Sequence, residues 1–491
     1  MDQQHQAGRR RAITGLLTML GGVSLSPLLK AADAIPAAGP ARLSEAEMQT
    51  AAWIREHALS DNRSYEILES LTTEVGARLA GSEADLRAVA WAEAKMRALG
   101  LDKVWKEPVQ YPVWQRLSEL ASVISPYPHR LQVTALGHSV STPEGGVQAD
   151  IVRVASLQDL KNTDPAKVHG KIVFIDHKLK KSADYGEVAA GRSRGASEAA
   201  RKGALALVIR SVGTDSHRLP HTGVMHYDDD APRIAAAAIS NPDADLLVRM
   251  LDRGEPVRLD LRIQTAMGGH FTSYNVIGEL RGSEQPDDYV LIGGHLDSWD
   301  LGTGAVDDGA GCAITLGAAE FLRRHQLRPR RSIRVVLYAN EEQGLIGGRA
   351  YHTAHRHEIS RIQAASEADS GQGPVKMLRS DVRPAALAVV GQIQQVLTGL
   401  GVNAGGNQAH PGPDMGVLRE AGAASFSLDM QADDYFDLHH TADDTFDKID
   451  PARLRQSCAA FAVFAWMAAQ SPVDFGSGDA LIQSRKTRTA G

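Results

Sequence analysis

The hydrophobic pattern of the first hundred residues predicts helices. Apolar positions recur at the helical spacing of about 3.6 residues in three segments, namely 43–58, 62–74 and 82–99. Ser44, with Glu47 three residues later, is the sequence signature of a capping box at the start of the first helix. Gly100 follows the third segment, where a glycine commonly ends a helix. A helical region is therefore expected to open the folded part of the chain.

After about residue 125 the pattern changes to that of a compact α/β unit. Strands are predicted at 170–176, 204–209 and 235–239, and a helix at 196–202. Short strands of this kind continue to about residue 266. This predicts an insertion, 126–266, within a larger domain formed by 35–125 and 267–473.

Strands and helices then alternate to about residue 472. Strands are predicted at 289–292, 333–338 and 362–366, and helices at 309–323, 345–356 and 451–469. Such alternation predicts an α/β fold with an open sheet flanked by helices. The last residues are small and polar, which predicts a disordered tail, 474–491.

The amino-terminal segment has the layout of an export signal. Three arginines at 9–11 precede a moderately apolar run, 12–29, and an Ala-Asp-Ala sequence at 32–34 offers a cleavage site. This predicts a signal peptide, 1–34, and a periplasmic or secreted protein with no stable membrane span after processing. The paired arginines resemble a twin-arginine signal. A membrane anchor is the alternative, but glycine, serine and proline dilute the apolar run.

Composition excludes several classes of function. The formal net charge of -6 and the lack of a basic stripe argue against a nucleic-acid partner. Only two cysteines occur, Cys312 and Cys458, so neither a disulfide framework nor a cysteine-rich zinc site is expected. Both are predicted to be buried on helices.

The residues suited to chemistry follow predicted strands. His295 and Asp297 come after strand 289–292 and the pair Gly293-Gly294, which we expect to allow a turn at the carboxyl edge of the sheet. Asp297 is placed to orient the imidazole of His295, as the supporting groups of metal-bound histidines do.

Carboxylates cluster at the next two elements. Asp307 and Asp308 begin helix 309–323; one suits a helix cap, and the other suits a carboxylate that bridges two cations. Glu341 and Glu342 end strand 333–338, and adjacent buried carboxylates repel each other unless a cation lies beside them.

Asp369 follows the third strand, and His439-His440 precede the closing helix. Histidines and carboxylates without cysteine fit a hydrolytic zinc centre that keeps open coordination positions.

Seven stretches of sequence carry a resemblance to a known family. They are 76–82, 195–211, 220–223, 293–311, 340–348, 367–371 and 439–451. With these motifs the chain resembles metallopeptidase family 28, the co-catalytic zinc exopeptidases. The resemblance implies a three-layer, open mixed sheet flanked by helices, with an inserted domain similar to protease-associated domains. It also implies a cis peptide between Asp307 and Asp308.

The resemblance implies two zinc ions per chain and a role for each site residue. Asp307 is expected to bridge the ions, His295 and Asp369 to complete one site, Glu342 and His440 the other, with Glu341 as general base and Asp297 supporting His295. His439 is an alternative to His440, because the two are adjacent.

The activity implied is hydrolysis of short unblocked peptides, dipeptides above all. An aminopeptidase of the same family, a non-catalytic binding protein and a glutaminyl cyclase are the alternatives. Which end of the peptide is recognised stays open. The chain offers acidic groups that could bind the ammonium end (Asp433, Asp434, Asp437) and basic groups that could bind the carboxyl end (Arg192, Arg194). A homodimer is also left open.

Overall fold

A computed structural model describes residues 41–489 of the 491-residue chain. The helices are α1 Glu45–Asp61, α2 Ser64–Glu74, α3 Glu83–Ala98, α4 Leu157–Asn162, α5 Pro165–Val168, α6 Tyr185–Arg201, α7 Asn241–Leu251, α8 Ala310–Arg324, α9 Ile346–His355, α10 Leu387–Leu397, α11 Pro413–Glu420, α12 Tyr435–Leu438, α13 Pro451–Gln470 and α14 Asp479–Thr489.

The strands are β1 Lys103–Ser125, β2 His129–Leu131, β3 Val133–Ala135, β4 Val147–Val154, β5 Ile172–Ile175, β6 Ala206–Arg210, β7 Ala235–Ile239, β8 Arg258–Leu280, β9 Gln285–His295, β10 Arg331–Tyr338, β11 Ile362–Glu367, β12 Val375–Asp381, β13 Asn403–Ala404 and β14 Ser425–Met430.

These strands form one mixed sheet. Its order is β13-β12-β14-β11-β9-β10-β8-β4-β5-β6-β7-β3, with β1 paired to β8 and β2 paired to β1. Strand β9 is parallel to both β10 and β11, whereas β8 is antiparallel to β10 and β4. The carboxyl ends of β9, β10 and β11 therefore meet at one edge.

Alternate residues of β9 face opposite layers of helices. Val290 and Ile292 belong to the core that includes α1, α2, α8 and α13. Tyr289 and Leu291 belong to a second core that includes Tyr351 of α9 and Met415 and Leu418 of α11. Burial on both faces gives three layers, which confirms the predicted mixed sheet flanked by helices.

Region 126–266 packs around its own part of the sheet. Ile172 and Phe174 of β5 face a core that includes α7, while Val173 and Ile175 face one that includes α6. Strands β1 and β8 lead into and out of this region and pair along most of their length. The predicted boundary after residue 266 falls inside β8, and the division into domains stays a prediction.

The predicted signal peptide, 1–34, lies outside the described residues. Between residues 41 and 489, no helix combines the length and apolar character needed to cross a membrane. The prediction of disorder for the tail is wrong at Asp479–Thr489, which is helical. The helix forms because Leu481 is buried in the main core and Arg485 Nε donates to Asp381 Oδ2 at 2.6 Å.

Candidate metal centre

The predicted site residues meet at the edge where β9, β10 and β11 end. His295 is the last residue of β9 and lies opposite Tyr338, the last residue of β10. Glu341 and Glu342 follow β10, and Asp369 follows β11 by two residues. Parallel strands whose carboxyl ends meet place their side chains in one crevice.

The glycines before His295 are needed because they leave room for neighbouring segments, and they do not form a turn. Gly293 and Gly294 lie within β9, so the expected turn is absent from this strand. A Cβ on Gly293 would come within 2.2 Å of Val336 O, and one on Gly294 within 2.4 Å of Asp308 Oδ2. Only glycine lets these chains approach so closely.

Asp307 lies at the centre of the cluster, with each oxygen facing a different histidine. Its Oδ1 is 3.1 Å from His295 Nε2, and its Oδ2 is 3.3 Å from His440 Nε2. The segment Ala305–Gly309 that carries it is a π-type turn, and the Asp307–Asp308 peptide is cis, as the resemblance implied. Asp308 instead caps the following helix by accepting from Gly311 N at 3.0 Å.

The two histidines nearest to Asp307 each lie beside a second carboxylate. His295 Nε2 is 3.9 Å from Asp369 Oδ1, and His440 Nε2 is 2.9 Å from Glu342 Oε2. His439 Nε2 is also close to Asp307 Oδ2, at 3.7 Å. Because His440 approaches both Asp307 and Glu342, this geometry favours His440 over His439.

Asp297 connects the two strand ends. Its backbone oxygen is 3.0 Å from His295 Nδ1, and its Oδ1 and Oδ2 accept from Glu341 N and Glu342 N at 3.0 and 3.4 Å. The side chain of Glu341 belongs to none of the candidate metal-binding groups within residues 41–489, whereas those of His295, Asp307, Glu342, Asp369 and His440 do.

The donor set fits zinc. Candidate ligand atoms of His295, Asp307 and Glu342 lie within 4.8 Å of one another, and so do those of two overlapping groups. Glu342 Oε1 is buried and has no hydrogen-bond partner among the described residues. An unpaired buried carboxylate oxygen is costly, and imidazole with carboxylate is a ligand combination that zinc accepts.

The electrostatics of the cluster also favour a cation. Burial raises the pKa of Asp369 to about 7, and repulsion from Asp307 and Glu342 adds to the rise, although His295 opposes it. Burial likewise raises the pKa of Glu341 well above its ordinary value. Carboxylates held this close share protons unless a metal ion neutralises them.

Several residues that hold the cluster together were missed by sequence reasoning. Asp444 accepts from Val306 N and Asp307 N at 2.6 and 3.2 Å, which fixes the backbone of the central carboxylate. Arg78, fully buried, donates to Thr303 O at 2.7 Å and Gly304 O at 2.9 Å. Arg78 lies in the 76–82 motif, so the sequence signal for this residue is the motif itself.

A cavity of about 420 Å³ opens onto the cluster. Its walls come from the cluster itself, from α6, and from α12 with the loop after it; Tyr185, Arg192, Tyr435 and Phe436 line it. The volume is within the range of about 300–1,000 Å³ that is typical of small-ligand pockets. Arg194 is exposed instead.

The acidic candidates for terminus recognition do not line this cavity. Asp434 pairs with Arg453 at 2.7 Å, and Asp437 Oδ1 accepts from Thr214 Oγ1 at 2.6 Å. Asp433 Oδ2 accepts from Gln431 Nε2 at 2.6 Å.

Both cysteines are buried and free, as predicted.

Comparisons with known proteins identify the family of this chain. The sequence matches Peptidase family M28 over residues 275–465. It is 35% identical over 413 residues to carboxypeptidase Q of Xenopus laevis, covering 84% of this chain and 87% of that protein. Carboxypeptidase Q of Homo sapiens is 34% identical over 410 residues, covering 84% and 86%.

Solved structures show the same fold. A peptidase M28 precursor from Shewanella amazonensis SB2B has a TM-score of 0.86 at 48% identity, covering 88% of this chain and 98% of that one. BSAP, a zinc aminopeptidase from Bacillus subtilis, has a TM-score of 0.60 at 21% identity, covering 86% and 98%. The fold and the histidine–carboxylate cluster define a zinc metallopeptidase. The chain belongs to peptidase family M28, and over most of its length it is similar to carboxypeptidase Q.

Proposed function

We propose that this protein is an exported di-zinc exopeptidase that hydrolyses short peptides with free ends, above all dipeptides. The observation that carries the proposal is the position of Asp307. Its two oxygens face His295 and His440 at 3.1 and 3.3 Å, so one carboxylate can contact two ions at once. In a two-metal hydrolytic centre, Asp307 would therefore help to hold both ions.

The remaining ligands follow from the pairs around Asp307. His295 and Asp369 complete one zinc site, and Glu342 and His440 complete the other. Asp297 is the supporting residue, since its backbone oxygen contacts the second ring nitrogen of His295 at 3.0 Å. His439 is left outside the ligand set.

Glu341 is the general base in this proposal. Zinc held here would supply an activated water, by lowering its pKa toward about 7, and a Lewis acid for the scissile carbonyl. The Glu341 carboxylate accepts a proton from the attacking water and later donates it to the amine nitrogen of the departing product. Its side chain is free of the ligand groups, and Asp297 Oδ1 holds its backbone at 3.0 Å.

The cavity supports a short substrate. Tyr185 of α6 and Phe436 of α12 stack at 4.7 Å between ring centroids, which joins region 126–266 to the loop that carries His440. A cavity of about 420 Å³ with this wall accepts a chain end more readily than a continuous polypeptide. The relatives named carboxypeptidase Q favour a peptide with a free carboxyl end.

Export is the part of the proposal that rests on sequence alone. The arginines at 9–11, the apolar run 12–29 and the Ala-Asp-Ala sequence at 32–34 support cleavage near residue 34. Similarity to protease-associated domains in region 126–266 likewise rests on the sequence motifs, with α6 at the cavity wall in support.

Metal analysis and a substrate panel test the function together. Purified active protein should contain two zinc ions per chain and should lose activity to a chelator. It should hydrolyse free dipeptides far faster than an internal bond of a long peptide blocked at both ends. One metal or none at saturation would contradict the bridged pair, and equal rates on the two substrates would contradict the exopeptidase assignment.

A further inference from the structure

Arg192 is a buried cation without an acidic partner. Its residue exposure is 6%, yet no carboxylate within residues 41–489 forms an ion pair with it. Its Nη2 donates to Tyr185 Oη at 2.9 Å, its Nη1 reaches Thr222 O at 3.5 Å, and its Nε has no partner. A buried charge that is not neutralised is costly, so an anion is expected to complete this arrangement.

Nearby residues fix the guanidinium in place. Gly223 has a φ of +138°, and a Cβ there would come within 2.4 Å of Arg192 Nη1, so glycine lets the guanidinium lie against the main chain. The cationic group also lies 5.6 Å from the centroid of the Tyr185 ring. A planar fork held in this way is suited to carboxylate, which it can bind through two hydrogen bonds.

A chain of ring contacts leads from Arg192 to the metal centre. The Tyr185 ring meets His439 edge-on at 5.6 Å, and His439 stacks on His440 at 3.4 Å. Arg192, Tyr185 and His440 all line the same cavity. An anion beside Arg192 is therefore in the cavity that holds the scissile bond.

The other charged groups of the cavity have different roles. Among the described residues that line it, Arg192 is the one arginine or lysine side chain. The carboxylates lining it are Asp307, Glu341, Glu342 and Asp369, all of which belong to the candidate metal centre. The cavity therefore offers a fixed cation for a carboxyl end, but no separate carboxylate for an ammonium end.

We propose that Arg192 and the Tyr185 hydroxyl bind the terminal α-carboxylate of the substrate. Because the Tyr185 oxygen already accepts from Arg192, its hydrogen is available to donate to that carboxylate. The inference rests on the proposed function and deepens it. The enzyme recognises the carboxyl end, so its substrates are dipeptides and short peptides with a free terminal carboxylate. Arg192 determines specificity and takes no part in proton transfer.

Paired substrates test this assignment. The zinc-loaded wild type should hydrolyse a dipeptide with a free carboxylate at least about 30-fold more efficiently, in kcat/KM, than its carboxamide. Arg192→Gln should lower kcat/KM for the free dipeptide by about 30-fold or more, the scale for loss of one partner of a buried charge pair. It should change kcat/KM for the carboxamide less than about 3-fold, so that the preference collapses. Arg192→Lys should retain part of the preference.

Arg194→Gln is the matched control, because Arg194 lies on the same helix and is exposed. It should keep the wild-type preference. Zinc content and melting temperature should match the wild type in all three variants. Equal losses on both substrates in Arg192→Gln, or an unchanged preference, would overturn the inference while the peptidase function stands.

A binding measurement separates this inference from the proposed function. Calorimetry with zinc-loaded Glu341→Gln protein should show the free dipeptide binding at least about 30-fold more tightly than its carboxamide. Adding Arg192→Gln should remove that difference. If carboxylate binding depends on Arg192 but the wild type hydrolyses neither substrate, the proposed function fails and the Arg192 assignment survives. If binding ignores the carboxylate, the assignment fails.

Discussion

The backbone oxygen of Thr222 lies 3.2 Å from Nδ1 of His440. Thr222 N also donates to His440 O at 3.0 Å, so a loop from region 126–266 fixes both the backbone and the ring of a candidate ligand. A hydrogen bond to the second ring nitrogen sets the tautomer and the orientation of a metal-bound histidine. The region 126–266 therefore supports the candidate metal centre as well as forming a wall of its cavity.

We expect Asp215→Asn to weaken this support. Asp215 Oδ2 is 2.5 Å from His221 Nε2, and His221 Nδ1 is 2.7 Å from His439 O. Both side chains are buried, so neutralising Asp215 loosens the segment before His440. Zinc affinity or kcat/KM should fall about 10-fold or more, the scale for supporting residues of metal ligands.

Asp230→Asn is the control for that variant, because Asp230 is exposed and its pairing with Arg201 lies at the surface. It should leave zinc affinity and kcat/KM unchanged. Titration with a competing chelator and dipeptide kinetics give both readouts. An Asp215→Asn protein with wild-type zinc affinity and wild-type kcat/KM would refute the supporting role.

The adjacent glutamates should separate by function. Glu341→Gln removes the proton acceptor but no ligand, so it should bind two zinc ions and lose at least about 10²-fold in kcat. Glu342→Gln should lower zinc content instead, because Glu342 Oε2 lies 2.9 Å from His440 Nε2. Elemental analysis beside steady-state kinetics checks both. The reverse pattern, with metal lost only from Glu341→Gln, would exchange the two roles.

The two adjacent histidines should also differ. His440→Ala should lose one of the two zinc ions, since His440 Nε2 is 3.3 Å from Asp307 Oδ2 and also close to Glu342. His439→Ala should keep both ions, because His439 Nε2 is farther from Asp307 Oδ2, at 3.7 Å, and Glu342 is not its partner. Zinc-to-protein ratios at saturation show which histidine is the ligand. Loss of zinc from His439→Ala alone would assign the ligand to His439.

Many helices and strands could be predicted because apolar residues repeat along the sequence with the period of the element that they form. The predicted strand 362–366 is observed as Ile362–Glu367, and the helix 451–469 as Pro451–Gln470. The 23-residue strand β1 was not predicted, since Pro108 and Pro112 interrupt it and proline argues against a strand. Its pairing with β8 is a long-range relation that no local pattern reports.

The same limit applies to the site. His295, Glu341 and Asp369 could be placed at one edge because each follows a strand of an alternating pattern. The surroundings of Asp444 and Arg192 could not be predicted, because each has a partner from another segment of the chain. Asp444 contacts the backbone of Asp307, 137 residues away, and Arg192 approaches Thr222. Local pattern finds residues at strand ends, whereas these contacts join segments that only the tertiary fold brings together.

Amino-terminal processing is a prediction from the sequence. We expect the native protein, isolated from its host, to begin near residue 35, because the segment 32–34 has the small-residue pattern of a cleavage site. Amino-terminal sequencing of that protein measures it. Replacing the arginine pair at 9–10 by lysines should reduce export if the signal is of the twin-arginine type. An uncleaved cytoplasmic form would contradict export.

Metal removal should destabilise the protein more as pH rises. In the metal-free protein the pKa of Asp369 is about 7, mainly because of burial. Burial alone would lower the pKa of His440, but Glu342 and Asp307 outweigh it and raise that pKa to about 10. Folding therefore takes up protons between about pH 4 and pH 10, relative to ordinary values near 3.9 and 6.5.

The sign follows from proton linkage. The cost of a deprotonated Asp369 is absent below about pH 4 and grows until about pH 7, while the stabilisation by protonated His440 is full below about pH 6.5 and is lost toward pH 10. Asp307, with a pKa well below its ordinary value, does not titrate in this window. Both changes weaken the metal-free fold as pH rises, whereas zinc binds the deprotonated ligands and is favoured by higher pH. The difference in Tm between zinc-loaded and chelator-treated protein should therefore increase from pH 5 to pH 8. Thermal melts of both forms across that range measure it, and a constant or shrinking difference would mean that these groups do not carry the metal-linked stability.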